Sequence, residues 1–453
     1  MADRLPDESR VADWVVFARP DWAQTELGRL CHPVRTPNVG MKEKQVLSLS
    51  YGRVVVKPVE KMRGLLPASF ETYQVLRPGD IVVRPTDLQN DQNSLRVGQA
   101  NDDGIITSAY ISLRPTSGVS DRYLFQLLRS YDFMKVFYGF GSGLRQNLDF
   151  KHIRRIPAAL PGHVEQQLIV RYIDNAEVRI ARAIQAQERL LDLLVEQRLA
   201  VFDATLARHA TSSASTEGPG WFGDIPSTWR EKRLRAVLAE SNRRSPAGAE
   251  PHYSMSQRLG LVPAGIGGGV LLSTDYTGGR VCEPGDIVLN RLKAHLGVFA
   301  VAPALCVISP DYTVLRVTDG SLPDFICAVL RSRMFRPQLR ISVRGLVEGF
   351  WRLYTPDLLR LALPVPPIDV QKTIMAEVDT QWARIDSAME ATQETIALLR
   401  EYRTRLISDV VTGKKDVRAE ASSLEDVDPD ELAAVLADSS AVGDEELGDD
   451  DAD

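Results

Sequence analysis

Pro78-Gly79-Asp80-Ile81-Val82 is repeated, residue for residue, as Pro284-Gly285-Asp286-Ile287-Val288, 206 positions further on. Weaker matches follow in the same order. Leu128-Arg129-Ser130 returns as Leu330-Arg331-Ser332 at offset 202. Pro161, Gln166 and Asp174 return as Pro366, Gln371 and Asp379 at offset 205. Near the start of each half, Pro20, Trp22 and Leu27 are echoed by Pro226, Trp229 and Leu234. A single short motif recurs by chance, but an ordered series at near-constant offset does not. The sequence is therefore a module of about 205 residues written twice.

Each module opens with short β-branched runs bounded by Gly, Pro, Asn or Asp. They are Val46–Ser50, Asp80–Arg84 and Ile105–Leu113, then Asp286–Leu289 and Tyr312–Val317. Single helices are expected at Asp121–Ser130 and Pro323–Ser332. This predicts a compact α+β domain over 1–155 and again over 221–362. Each module closes on a long helix, over 156–210 and 363–415. Val164 to about Arg208 holds no Pro or Gly. A stripe at Ile180, Ile184, Leu191 and Leu194 recurs as Ile385, Met389, Ile396 and Leu399, with near-heptad spacing. About 40–45 residues at 1.5 Å each give a rod of roughly 60–68 Å. One helix cannot bury such a stripe alone. Two matching stripes are most simply buried against each other, as an antiparallel coiled coil with pseudo-twofold symmetry. The alternative is that each packs on its own globular domain. Thr211–Gly220 reads as a flexible linker.

The 453 residues carry a formal net charge of −6. That figure averages two unlike parts. Residues 419–453 hold fourteen acidic residues and no basic one, leaving 54 basic against 46 acidic before them. A mildly basic body thus precedes an acidic tail over 416–453, expected to be disordered. A 44% hydrophobic content supports ordinary cores and excludes collagen-like or mainly disordered classes. No apolar run reaches the ~18–20 residues that span a bilayer, and the N-terminus lacks an apolar signal core. Cys31, Cys282, Cys306 and Cys327 form no CxxC pair and read as buried free thiols of a cytoplasmic protein.

Sequence patterns for chemistry are missing. There is no GxxxxGK[ST], HExxH, GxSxG or methyltransferase Asn/Asp-Pro-Pro-Tyr tetrapeptide, and the six histidines make no HxH or HxxxH pair. Asp80 and Asp286 read as turn residues leading into a strand rather than as a catalytic pair. Basic clusters do repeat. Gly139–Arg155 holds four basic residues, and Val329–Arg352 holds six arginines against Glu348 alone. Arg, Asn and Gln suit phosphate contact and base-edge reading. The candidate DNA-facing residues are Arg84, Thr86, Gln89, Asn90, Asn93 and Arg96, then Arg145, Gln146 and Asn147. In the second module they are Asn290, Arg291, Lys293, Arg344 and Arg352.

At this point the sequence resembles a known family. A Gly-Asp-Ile-Val turn and an Asn/Arg-rich loop precede Gly141-Ser142-Gly143-Leu144-Arg145-Gln146-Asn147-Leu148. An Ile-Pro segment follows, and Glu165-Gln166-Gln167 opens the long helix. A second copy starts at Trp221. The order and the duplication resemble the DNA-specificity subunit of type I restriction–modification systems over nearly all of 14–415. Two departures stand out: Val370-Gln371-Lys372 replaces Glu165-Gln166-Gln167, and Val343-Arg344-Gly345-Leu346 replaces Gly141-Ser142-Gly143-Leu144.

The resemblance implies two target-recognition domains, each reading half of a split, asymmetric double-stranded DNA target, with the paired helices as spacer. It implies a non-catalytic chain that scaffolds two methyltransferase (modification) subunits and restriction (endonuclease/translocase) subunits, for DNA methylation and phage defence. S-adenosylmethionine, ATP and Mg²⁺ would belong to those partners, with no cofactor or metal bound here. The competing expectation is a non-catalytic coiled-coil adaptor whose globular ends bind proteins.

Overall fold

The computed structural model describes residues 19–50, 52–57, 69–86, 88, 94–140, 147–211, 214–264, 276–345 and 351–436. The chain divides into two compact units whose borders fall inside both long helices, after Ile184 and after Ile396. Each unit takes one globular part and half of each helix.

In the first unit, strands β1 (Ala23–Glu26), β2 (Cys31–Val34), β3 (Leu47–Ser50), β4 (Arg53–Val56), β5 (Gln74–Leu76), β6 (Ile81–Val83), β7 (Val97–Gln99), β8 (Gly104–Ile106), β9 (Ile111–Pro115) and β10 (Pro157–Leu160) precede the long helix. Helix α1 (Asp121–Phe133) lies between β9 and β10, and α2 (His163–Ala210) follows. Four strands form an antiparallel sheet in the order β2-β9-β6-β7, and β1-β10, β3-β4 and β5-β8 are pairs.

The second unit repeats every pairing. After the small pair β11 (Ser215–Thr216) and β12 (Ile225–Pro226) come β13 (Arg230–Arg233), β14 (Leu238–Ser241), β15 (Tyr253–Ser256), β16 (Gly260–Pro263), β17 (Arg280–Cys282), β18 (Ile287–Leu289), β19 (Phe299–Val301), β20 (Cys306–Ile308), β21 (Thr313–Val317) and β22 (Ala362–Val365). The four-stranded order is β14-β21-β18-β19, with pairs β13-β22, β15-β16 and β17-β20. Helices α3 (Pro323–Arg331), α4 (Arg336–Ser342) and α5 (Ile368–Val411) complete it.

The repeated pentapeptide has a physical reason. Gly79 and Gly285 hold φ of +89° and +86°, which admits the turn before β6 and β18. A Cβ on Gly79 would also meet Asp121 Oδ2 at 2.9 Å. The Asp80 carboxylate accepts Arg77 N–H at 2.8 Å and two Arg114 N–H groups at 2.7 Å. Asp286 does the same with Glu283 N–H at 2.9 Å and Arg316 at 2.9 and 3.0 Å. Both aspartates are turn and strand anchors.

The repeated glutamine is a second lock. Gln166 Oε1 accepts Ser120 N–H at 2.8 Å, and its Nε2 donates to Pro161 O at 3.0 Å. Gln371 accepts Leu322 N–H and donates to Pro366 O, both at 2.9 Å. Each long helix is thereby pinned to the start of the domain helix. Gln166→Leu or Gln371→Leu strands a backbone donor, so urea unfolding of either variant is expected to show a loss of about 1–3 kcal/mol.

The long helices run antiparallel within each unit. In the first, Lys415, just past α5, donates to Tyr172 Oη, and Arg403 faces Glu177. In the second, Arg198 Nε donates to Asp386 Oδ1 at 2.9 Å, and Arg208 pairs with Glu377. Ile180, Ile184, Leu191, Ile385, Met389 and Ile396 are buried, while Leu194 and Leu399 are half-buried. The second unit also uses the alternative packing. Phe202 and Leu206 of α2 and Ile374 and Val378 of α5 enter the same core as Trp229, Phe325 and Leu330.

Four expectations change. The long helices begin only at His163 and Ile368, because Pro157–Leu160 and Ala362–Val365 are strands paired with β1 and β13. Ile105–Leu113 is two strands, β8 and β9, because Tyr110 N–H bonds back to Thr107 O at 3.2 Å and turns the chain. Ser215–Thr216 of the expected linker pairs with Ile225–Pro226, so this part is structured. The acidic tail is not free over 416–436. Residues 418–421 and 429–436 are helical. Val417, Ala421 and Leu432 are buried, and arginines from the body meet its acids. The four cysteines are free and buried, and Cys282 lies opposite Cys306 across β17 and β20. No helix among the described residues is long and apolar enough to cross a membrane.

Candidate nucleic-acid interface

In each unit the loop after the repeated Gly-Asp strand must be held against the loop that follows the domain helix. One backbone bond does this in both. Leu148 N–H donates to Pro85 O at 2.8 Å, and Leu353 N–H donates to Arg291 O at 3.1 Å. The four residues stand at matching places, offset by 206 and 205. In each unit this bond joins described residues in or directly beside the two sequence stretches singled out above.

In the first unit Arg84 and Thr86 are half-buried, and Asn147 is exposed beside the clasp. Arg96 is not a DNA contact. It is fully buried, with Nη1 donating to Thr86 O at 2.6 Å and Nε to Tyr138 Oη at 3.0 Å. Its backbone N–H is held by Asp132 Oδ2 at 2.6 Å. A desolvated guanidinium with carbonyl partners fixes the loop that carries Arg84 and Thr86. Burial, the dominant influence, raises the Asp132 carboxyl above its ordinary value. Gln89, Asn90, Asn93, Arg145 and Gln146 lie outside the described residues.

The second unit shows more of its surface. Arg344 and Arg352 form an antiparallel bridge, with reciprocal backbone bonds of 2.9 and 2.8 Å, and both side chains are exposed. Arg344 donates to Asp357 Oδ1 at 2.7 Å and lies 5.8 Å from the Tyr354 ring. Arg340 of α4 is exposed as well. Lys293 is half-buried. Arg291 is tied down by donating Nε to Asp311 O at 2.6 Å, so it positions the loop as much as it faces out. Asn290 is a correction. It is buried, and its Oδ1 accepts the N–H groups of Leu292 and Lys293 at 3.1 and 3.2 Å. Its amide shapes the turn rather than meeting a base.

Sequence reading missed the aromatic members. Trp351 and Tyr354 are exposed, and the Trp351 ring meets His295 edge-on at 5.1 Å. Burial, reinforced by nearby Arg340, holds the His295 imidazole below its ordinary value of 6.5, so it is neutral at pH 7. The interleaving of Trp351 and Tyr354 with Arg344 and Arg352 was the available signal. The result is a surface of guanidinium groups, a neutral imidazole and aromatic edges. Such a set suits phosphate binding with base-edge or methyl contact. Among the described residues no cluster of three or more His, Cys, Asp or Glu could hold a metal ion.

No family model matches the chain, and no curated protein matches it in sequence. Solved structures do. A chain from work on complex assembly and conformational transition of the type I R-M system is 18% identical at TM-score 0.50, covering 88% of this chain and 99% of that one. The HsdS subunit from Thermoanaerobacter tengcongensis is 17% identical at TM-score 0.38, covering 87% and 98%. The type I restriction–modification S subunit from M. genitalium is 13% identical at TM-score 0.32, covering 87% and 97%. In its fold, over nearly its whole length, this chain is similar to a chain of a type I restriction–modification system.

Proposed function

We propose that this chain is the DNA-specificity subunit of a type I restriction–modification complex, with each module reading one half of a split, asymmetric target in double-stranded DNA. The observation that carries the reading is the repeated clasp between two loops, conserved in geometry and different in side chains. A duplicated frame that holds unlike polar loops in the same place is what two different half-sites require. The guanidinium groups of Arg344 and Arg352 supply phosphate attraction. Arg84, Thr86 and Asn147 on one side, and Lys293, His295 and Trp351 on the other, supply distinct groups at base edges.

On this reading the chain is non-catalytic. Methyl transfer and cleavage belong to methyltransferase and restriction subunits, which bind S-adenosylmethionine, ATP and Mg²⁺ themselves.

The test is enrichment of a randomised DNA duplex library by the purified chain with its methyltransferase partner. The expected product is one motif of two short blocks at fixed spacing. A protein-binding adaptor would enrich nothing.

A further inference from the structure

In the first unit a groove runs along α2 beside the last turns of α5. Ile180, Leu399 and Leu406 give it an apolar floor, and Tyr172 and Arg179 line it. Residues 416–436 lie across it. Arg171 Nε donates to Asp426 Oδ1 at 2.6 Å, Asn175 Nδ2 to Glu425 O at 2.9 Å, and Arg182 pairs with Glu431. At the near end, Arg19 pairs with Asp416 at 2.9 Å. The tail does not close it over: a half-open cleft of about 500 Å³ remains, with Glu420, Ser423 and Leu424 in its wall.

The duplication supplies a control. At offset 205 the tail-holding residues Arg171, Tyr172, Asn175 and Arg182 become Ala376, Glu377, Thr380 and Ser387. The two copies agree along the buried stripe and diverge where the acidic segment lies. Arg171 and Arg182 have no basic counterpart there, whereas Arg179 returns as Arg384, so two of the three rim arginines are particular to the copy that meets the tail.

We infer that this groove is a docking surface for acidic, leucine-bearing helical segments, and that residues 416–436 are its built-in occupant, which a protein partner carrying such a segment must displace. Charge complementarity and the open cleft beside the tail both point there. The rim recognises acids, and the floor of Ile180, Leu399 and Leu406 lies beside the tail's Leu424. A tethered segment acts at a millimolar-scale effective concentration, so it holds the groove against weak binders and yields only to a better-fitting one. This goes beyond the DNA reading and does not depend on it.

The test uses the full chain. Arg171→Glu/Arg182→Glu and, separately, Asp426→Arg/Glu431→Arg are each expected to speed amide exchange over 417–436 by about tenfold. Combining all four substitutions restores protection. A fluorescein-labelled peptide of residues 416–436 is then added in trans. It should bind the Asp426→Arg/Glu431→Arg chain at least about tenfold more tightly than wild type, because the covering segment is loosened and the rim is intact. It should not bind the Arg171→Glu/Arg182→Glu chain. Wild-type tail amides exchanging at unprotected rates, failure of the four-fold swap to restore protection, or equal peptide binding by all chains would overturn the inference. No readout involves DNA, so its failure leaves the specificity-subunit reading standing.

Discussion

Glu177→Ala is expected to destabilise the first unit by about 3–5 kcal/mol, the range for removing one partner of a buried ion pair. Glu177 is buried and accepts Arg129 Nη1 at 2.8 Å, while Arg403 of α5 adds its charge. Burial opposes the carboxylate, but Arg129, Arg403 and Arg122 outweigh it and hold the group below its ordinary value of 4.5. Burial presses Arg403 below its own ordinary value, so that guanidinium depends on the acid. Alanine leaves two desolvated guanidinium groups without their counter-charge.

The sign with pH follows. A depressed carboxylate stabilises the fold above about 4.5 and loses that contribution as pH falls through its folded value. The deficit of Glu177→Ala in urea midpoints should therefore be full at pH 7 and shrink below pH 4.5. The exposed pair Arg77–Asp103, at 64% and 52% side-chain exposure, is the contrast. Asp103→Ala should cost no more than about 1 kcal/mol. A deficit for Glu177→Ala as small as that would show that the helix halves are not held by this charge cluster. The second unit solves the same problem differently. Trp382 stands at the position of Glu177, and Arg198, the counterpart of Arg403, lies 4.0 Å from its ring.

The second large effect is on DNA. Arg344→Gln with Arg352→Glu is expected to weaken binding of duplex DNA by about a hundredfold, because two phosphate contacts are lost and one charge is reversed. Gln is chosen at 344 because Asp357 keeps Arg360 at 3.6 Å, so the local turn retains a counter-charge. Affinity should fall for every sequence alike, and the slope of log affinity against log salt should flatten by about 2. Titrations at several salt concentrations separate this from a folding defect, which would reduce active protein without changing the slope. An unchanged slope would remove both arginines from the interface. Trp351→Ala should act differently, altering the preferred bases of one half-site while sparing the salt slope.

The duplicated architecture was legible because its anchors are local. Pro-Gly-Asp makes a turn, glutamine locks a helix start, and an apolar stripe has a period. What the sequence hid is long-range. Arg96 and Asn290 look like ideal DNA readers by composition, yet both are buried and hold their own loops. Nothing local says that Asp132 and Tyr138 await Arg96. The tail reads as solvated polyanion until Arg171 and Arg182, some 250 residues earlier, are seen opposite its acids. Cys282 and Cys306 face each other only because β17 and β20 share a register. The aromatic members of the interface needed no three-dimensional information and were passed over for the charges beside them.

The most direct measurement is genome-wide base modification in a host with an active methyltransferase subunit, with and without the gene for this chain. Specificity-subunit function predicts that one motif, two short blocks separated by a fixed gap, is methylated only when the chain is present. No change at any split motif would contradict it.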